Sequence, residues 1–208
     1  MDKFPMDPAR WQSGLTIDEF VAGMNTHQAD MRHRLGEVRL PAGDRDHFAR
    51  IESPIHVLVM TEDWCGDSLM NVPILARIVE AAPGMDLRVF IRSRSPELND
   101  YYTARGITRI PVLTFLDGDF NEIGTWVERS QAAHAAVSEW MDAHPEVTEL
   151  LQNQTMTAEE RHRLLGEKFG GILIEMEGWY ADSLQKATVD EIKALLVPVA
   201  EALPVAAR

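Results

Sequence analysis

Ile55-His56-Val57-Leu58-Val59-Met60 runs straight into Thr61-Glu62-Asp63-Trp64-Cys65-Gly66-Asp67-Ser68. The first six residues, apolar and β-branched for the most part, make a strand buried along most of its length. Beyond the junction Leu69, Val72, Leu75, Ala76 and Val79 recur at helical spacing, so an amphipathic helix covers Gly66 to Ala82. Pro73 lies inside that pattern and predicts a kink, because proline removes an i→i−4 hydrogen bond. The only cysteine of the chain stands at the strand–helix turn. A helix start offers unpaired backbone N–H groups and the positive end of a dipole, and both favour a thiolate.

Downstream the alternation continues. Met85 to Arg92 reads as a strand, Pro96 to Arg105 as a short helix closed by Gly106, and Ile110 to Leu116 as a strand entered through Pro111. Asp117-Gly118-Asp119 is a turn, Asn121 to Val127 the returning hairpin strand, and Ala132 to Met141 a helix ended before Pro145. Such an order implies an α/β fold, a mixed central sheet with helices on both faces. In open sheets of this kind sites lie at the C-terminal ends of strands, where Cys65 stands.

Upstream, Pro5 and Pro8 predict a loose tail. Thr16-Ile17-Asp18-Glu19 is a capping box opening one helix from Ile17 to about Val38, and a short helix covers Asp44 to Ile51. Glu146 to Arg208 is helical by pattern, with Thr157 capping a helix through Leu165, Phe169, Ile172, Met176 and Trp179 and a further helix over Thr188 to Leu203. Gly166, Gly170 and Gly171 either permit close packing of the first or divide it. The expected division is residues 1–43 as a tail and helix, 44–145 as the sheet domain and 146–208 as a helical extension.

A chain of 208 residues, 45% hydrophobic and 25% charged, can bury a substantial core. A net charge of −13 argues against nucleic-acid and anionic-membrane surfaces, which need clustered Lys and Arg. With one cysteine the chain has no internal disulfide, and a reducing cytoplasm is the expected location. Asp30/His33 and Glu159/His162 each share a helix face, but such pairs are ordinary surface features and no metal site is expected.

Trp64-Cys65-Gly66-Asp67-Ser68, taken with Ile110-Pro111 after a second βα unit, resembles the thioredoxin superfamily. Nearest is a bacterial group of thioredoxin-like proteins with an acidic Glu-Asp-Trp-Cys-Gly-Asp motif. The likeness covers about Asp44 to His144. It implies a cis bond before Pro111, packing of that proline against Cys65, and backbone hydrogen bonds from Ile110 to an extended substrate. Two positions depart from the pattern. Ser68 stands where the second cysteine belongs, and Val59 where many members carry a buried acid. Together they remove the means of resolving a mixed disulfide within the chain.

The expected activity is thiol–disulfide exchange or (de)glutathionylation by Cys65 as a monothiol, with Ser68 supporting the thiolate. Trp64, Gly66, Asp67, Ile110 and Pro111 form the candidate substrate-binding set. The partner is a protein or small-molecule disulfide. No resident cofactor is implied, only glutathione or another low-molecular-weight thiol as co-reductant. The alternative is a redox-inactive module that binds through the Ile110–Pro111 edge and the helical extensions, which could also support a homodimer. A free cysteine, of pKa ~8.5, is about 3% thiolate at pH 7, so half-ionisation needs roughly 2 kcal/mol. The helix end supplies ~0.3–1 and the Ser68 hydroxyl ~1.5–3, while Glu62, Asp63 and Asp67 each oppose by about 0.6. The sum predicts a moderately lowered thiol. Arg92, Arg94, Arg105 and Arg109 near strand ends could offset the acids, and Trp126 either walls a groove with Trp64 or packs in the core.

Overall fold

Strand β1 (Ile55–Thr61) is central because both its neighbours need it. It pairs in parallel with β2 (Met85–Ile91) and antiparallel with β3 (Val112–Asp117), which pairs antiparallel with β4 (Glu122–Val127), giving the order β2-β1-β3-β4. The structure, a computed structural model, describes residues 4–152 and 158–201, with side chains except at 151–163, 165, 167–170 and 198–201. Expectations for Thr157, Leu165, Phe169 and the Glu159/His162 pair lie outside the described residues or side chains.

Register sets the two ends of the sheet. Met60 and Thr61 lie opposite Phe90 and Ile91, and Met60 also opposite Val112, whose other partner is Val127. Residues following β1, β2 and β4 therefore gather at one end with those preceding β3. At the other end His56 lies between Asp86 and Leu116. Leu58 and Met60 point into a cluster with Leu98, Tyr102, Ile110, Val112 and Cys65. Alternation turns Val57 and Val59 to the opposite face, also fully buried.

Helix α1 (Pro8–Gln12) corrects the expectation of a loose tail. Asp7 caps it through the Arg10 N–H at 2.8 Å, Pro8 takes the first turn, and Phe4, Met6 and Trp11 are buried. Leu15 then exchanges two backbone hydrogen bonds with Val89 on the outer edge of β2, at 2.9 and 2.8 Å, which covers an otherwise open strand. Gly14 permits that approach, since a Cβ there would meet the Phe90 ring at 2.7 Å.

The single helix expected from Ile17 to Val38 is two, α2 (Ile17–Ala22) and α3 (Gln28–Glu37). The capping box is present, with Thr16 Oγ1 accepting the Glu19 N–H and Glu19 accepting the Thr16 N–H. The chain leaves α2 at Gly23, turns through His27 in the left-handed region, and the Gln28 amide satisfies the Val21 and Ala22 carbonyls. Periodicity carries across such a break because the apolar face continues on the far side. Helix α4 (Ala42–Phe48) leads to β1, and α5 (Gly66–Ala81) follows it without interruption at Pro73. A 3₁₀ turn (Arg92–Arg94) and α6 (Pro96–Thr103) follow β2; Gly106, at φ 77°, ends that stretch.

Beyond the sheet come α7 (Gln131–Ala143), α8 (Pro145–Gln152), α9 (Ala158–Trp179), a π-helical turn (Tyr180–Leu184) and α10 (Gln185–Glu201). Helix α9 passes through Gly166, Gly170 and Gly171 without a break. The chain forms two compact units, one up to Arg129 together with Thr188 onward, the other Ser130 to Ala187. In the first unit α10 sets Leu195 close against Gly124, where a Cβ would meet it at 2.8 Å, and Trp126 donates to Glu191 at 2.8 Å. In the second, Ser130 caps α7 and the Trp140 indole donates to Glu175 at 3.0 Å. Ile172, Met176, Tyr180 and Leu184 are buried there. Among the described residues no helix is long and apolar enough to cross a membrane.

Candidate functional site

Cys65 caps α5 from an extended backbone conformation, one turn after β1 ends. Its thiol donates to the Ile110 carbonyl at 3.4 Å, and the Ile110–Pro111 peptide is cis. Elements far apart in sequence thus meet at one sulfur, as the register of β1 and β3 requires. Ser68 lies one helical turn on, 1% exposed, its hydroxyl bonded to the Thr61 hydroxyl. Trp64 stands out by contrast, 54% exposed beside the thiol.

Burial pushes the Cys65 thiol above its ordinary value, and the Asp67 carboxylate adds to the rise. The Ser68 hydroxyl and the backbone N–H groups of Ser68 and Asp67 pull the other way without prevailing. The expected moderate lowering is therefore corrected. Helix end and hydroxyl act as anticipated, but the thiol is 8% exposed among Leu58, Met60, Tyr102 and Ile110, and the cost of desolvating an anion outweighs both. Local sequence contains no measure of that burial.

The acids of the motif are occupied. Glu62 accepts the Ser93 N–H at 2.6 Å and is nearly buried. Asp63 accepts the Asn25 and Thr26 N–H groups at 2.7 and 3.3 Å, so the break between α2 and α3 supplies its donors. Asp67 holds Arg129 in a fork, Nε at 2.8 and Nη2 at 2.5 Å. Arg129 also reaches Glu128 at 3.1 Å, and Arg109 donates to both Glu128 oxygens at 2.9 and 3.0 Å. Glu128 carries this load at φ 65°, a conformation costly for a side chain with a Cβ and often found at functional sites. Asn71, fully buried, donates to the Asp67 and Glu128 carbonyls and accepts from the Thr188 hydroxyl.

Cys65, Ser68, Trp64, Gly66, Asp67, Ile110 and Pro111 thus come to one end of the sheet. Trp126 does not join them; it is buried and packs through its bond to Glu191. Of the four arginines near strand ends, Arg92 lies over the Trp64 ring at 5.9 Å and donates to the Thr108 carbonyl at 3.3 Å, while Arg109 holds Glu128. Arg105 instead covers the Tyr101 ring at 3.4 Å. Glu128, Arg129 and Asn71 have no motif signal. Only the strand ladder, which sets Val127 beside Val112, could have pointed to the first two. Among the described residues no group of three or more His, Cys, Asp or Glu side chains is arranged to hold a metal.

A parallel pair extended by an antiparallel hairpin, with a cysteine-capped helix after the central strand, defines a thioredoxin-like α/β protein. The family model described as thioredoxin matches residues 14–150, and the chain belongs to that family. The match takes in α2 and α3, which the motif resemblance left outside. No curated protein matches the chain. Among solved structures, a protein of unknown function from Pseudomonas aeruginosa is 20% identical, with a TM-score of 0.61 over 94% of this chain and 98% of that one. An HIV epitope scaffold is 21% identical, also at a TM-score of 0.61, over 92% and 98%. At these identities the likeness concerns the fold alone.

Proposed function

We propose that this thioredoxin-family protein works as a monothiol, with Cys65 as the nucleophile of thiol–disulfide exchange. The observation that carries the reading is the placement of the Cys65 sulfur. It caps α5 within reach of the Asp67 and Ser68 N–H groups and the Ser68 hydroxyl, 3.4 Å from the Ile110 carbonyl and beside exposed Trp64. Cys65 loses its proton to solvent and attacks one sulfur of a disulfide. A new S–S bond forms to Cys65, the old one breaks, and the departing sulfur leaves as thiolate. Ser68 cannot attack the mixed disulfide, so a second thiol, glutathione or one like it, must release Cys65. Because burial holds the thiol up, exchange is slow at neutral pH and accelerates in alkali.

The same burial favours a second reading, a redox-inactive module that binds an extended segment along the Ile110–Pro111 edge. Alkylation of Cys65 against pH, with mass detection of a mixed disulfide from oxidised glutathione, separates the two. The monothiol reading expects alkylation to titrate above the ordinary cysteine value and a mixed disulfide to form there. Absence of that adduct across the pH range in which Cys65 itself becomes alkylated leaves the binding module standing. Ser68→Cys should add disulfide reductase activity if the frame is competent, read as insulin turbidity with dithiothreitol.

A further inference from the structure

The charges around Cys65 are sorted by depth. Glu62 and Glu128 are buried, and the Asp67 side chain is 12% exposed; their carboxylates turn inward to Ser93 N–H, to Arg109 and Arg129, and to Arg129 respectively. Asp63 is turned to the backbone of Asn25 and Thr26. Of the two guanidiniums at the rim, Arg109 turns outward and Arg92 is half-buried. The Arg109 side chain is 66% exposed, next in sequence to the Ile110 whose carbonyl meets the thiol. Arg92 lies over Trp64, next in sequence to the thiol on its other side, and is pinned there by the Thr108 carbonyl. A chain of net charge −13 therefore sets Arg92 and Arg109, the latter paired with Glu128, beside its one cysteine.

We infer that the site beside Cys65 is selective for disulfides carrying carboxylates near the reacting sulfur, held by Arg92 and Arg109. This rests on the monothiol reading of Cys65. Arg109 presents a planar donor set suited to a carboxylate, with its Nη1 engaged by Glu128, and Arg92 is braced by ring and carbonyl. The carboxylates of the motif are each engaged by donors of the chain, Glu62 by the Ser93 N–H, Asp63 by the Asn25 and Thr26 N–H groups and Asp67 by Arg129, whereas the Arg109 side chain is 66% exposed. The exchange balances as before. The proton of Cys65 passes to solvent, one S–S bond forms, one breaks, and the carboxylate-bearing half that departs leaves as thiolate.

Three symmetrical disulfides test this on the intact protein near pH 8.5, about where a free thiol half-ionises: dithiodipropionate (two carboxylates), hydroxyethyl disulfide (neutral) and cystamine (two ammoniums). Rates of mixed-disulfide formation at Cys65 are followed by mass and divided by those of mercaptoethanol with the same reagent. A guanidinium about 6 Å away in a water-like dielectric is worth roughly threefold for each unit of ligand charge, so even with the Arg109 charge offset by Glu128 the normalised rate with dithiodipropionate should exceed that with cystamine by about tenfold. In the double variant Arg92→Gln/Arg109→Gln the preference should shrink to within about threefold. Equal normalised rates, or a preference for cystamine, overturn the selectivity and leave the monothiol reading intact. No adduct with any of the three overturns both. The substrate series on the unaltered protein decides the matter even if the double variant does not fold.

Discussion

At its N-terminal end β1 holds His56 against Asp86 at 2.6 Å, with the Trp11 indole donating to the other Asp86 oxygen at 2.9 Å and the Phe120 ring stacked on the imidazole at 4.5 Å. At its C-terminal end the same strand leads to Cys65, where carboxylates turn inward and Trp64 and Arg109 face water. Both ends contain ionisable groups at hydrogen-bonding distance and aromatic rings. They differ in what covers them. Trp11, brought by α1, lies 4.9 Å from His56 between rings and covers the imidazole, while the Asp86 side chain stays half-exposed. The other end is braced by the Asp67–Arg129–Glu128–Arg109 chain and Asn71, with Trp64 exposed beside the thiol. A sheet end becomes a site when polar groups brace it from inside and leave the reactive atom an approach.

The harshest way to break this contrast is Trp11→Ala. Loss of a 1% exposed indole should lower stability by about 3–5 kcal/mol in urea unfolding. Alkylation of Cys65 in the protein that remains folded should be unchanged; a slower rate would mean the two ends are coupled. Arg129→Gln strikes the other end. It removes the charge partner of Asp67, costs about 2–3 kcal/mol, and leaves an uncompensated carboxylate near the thiol. Alkylation at pH 7 should fall; an unchanged rate would show that Arg129 braces the fold without influencing Cys65.

Ser68→Ala has a smaller reach. It removes a hydroxyl that pulls the thiol down and the partner of the buried Thr61 hydroxyl, so stability drops by about 1–2 kcal/mol and alkylation titrates at higher pH. The gentlest effect is on pH dependence itself. A thiol raised on folding contributes its stability in full below the unfolded value of ~8.5 and loses it as pH climbs through the folded value. The urea midpoint should therefore decline across that alkaline window in the native protein and decline less in Cys65→Ala. Parallel curves would show that the thiol is no more protonated in the folded chain than in the unfolded one.

Local signals carried much of this. The apolar run of β1, the capping box at Thr16, the hairpin turn and the spacing of α5 are all written within a few residues, and each element lies where its pattern places it. The break at Gly23 escaped because one apolar face runs through both α2 and α3. Helix α1 escaped because five residues give too little period to read, although Asp7 and Pro8 form a good start signal. At the site, the strand–helix junction and the Ile110–Pro111 pair were legible as motifs. Glu128 and Arg129 were not, since what gives them a role is the pairing of β3 with β4.

By itself the sequence determined that a lone thiol begins a helix after a buried strand, that Ser68 cannot resolve a mixed disulfide, and that the chain as a whole is strongly acidic. Those are properties of residue type and spacing. Only the tertiary structure decided that Cys65 is held above its ordinary value and that the nearby acids are engaged while Arg109 faces outward. Burial and charge pairing are sums over neighbours from β1, β2, β3 and the loops beyond β4, and no local stretch of chain contains them.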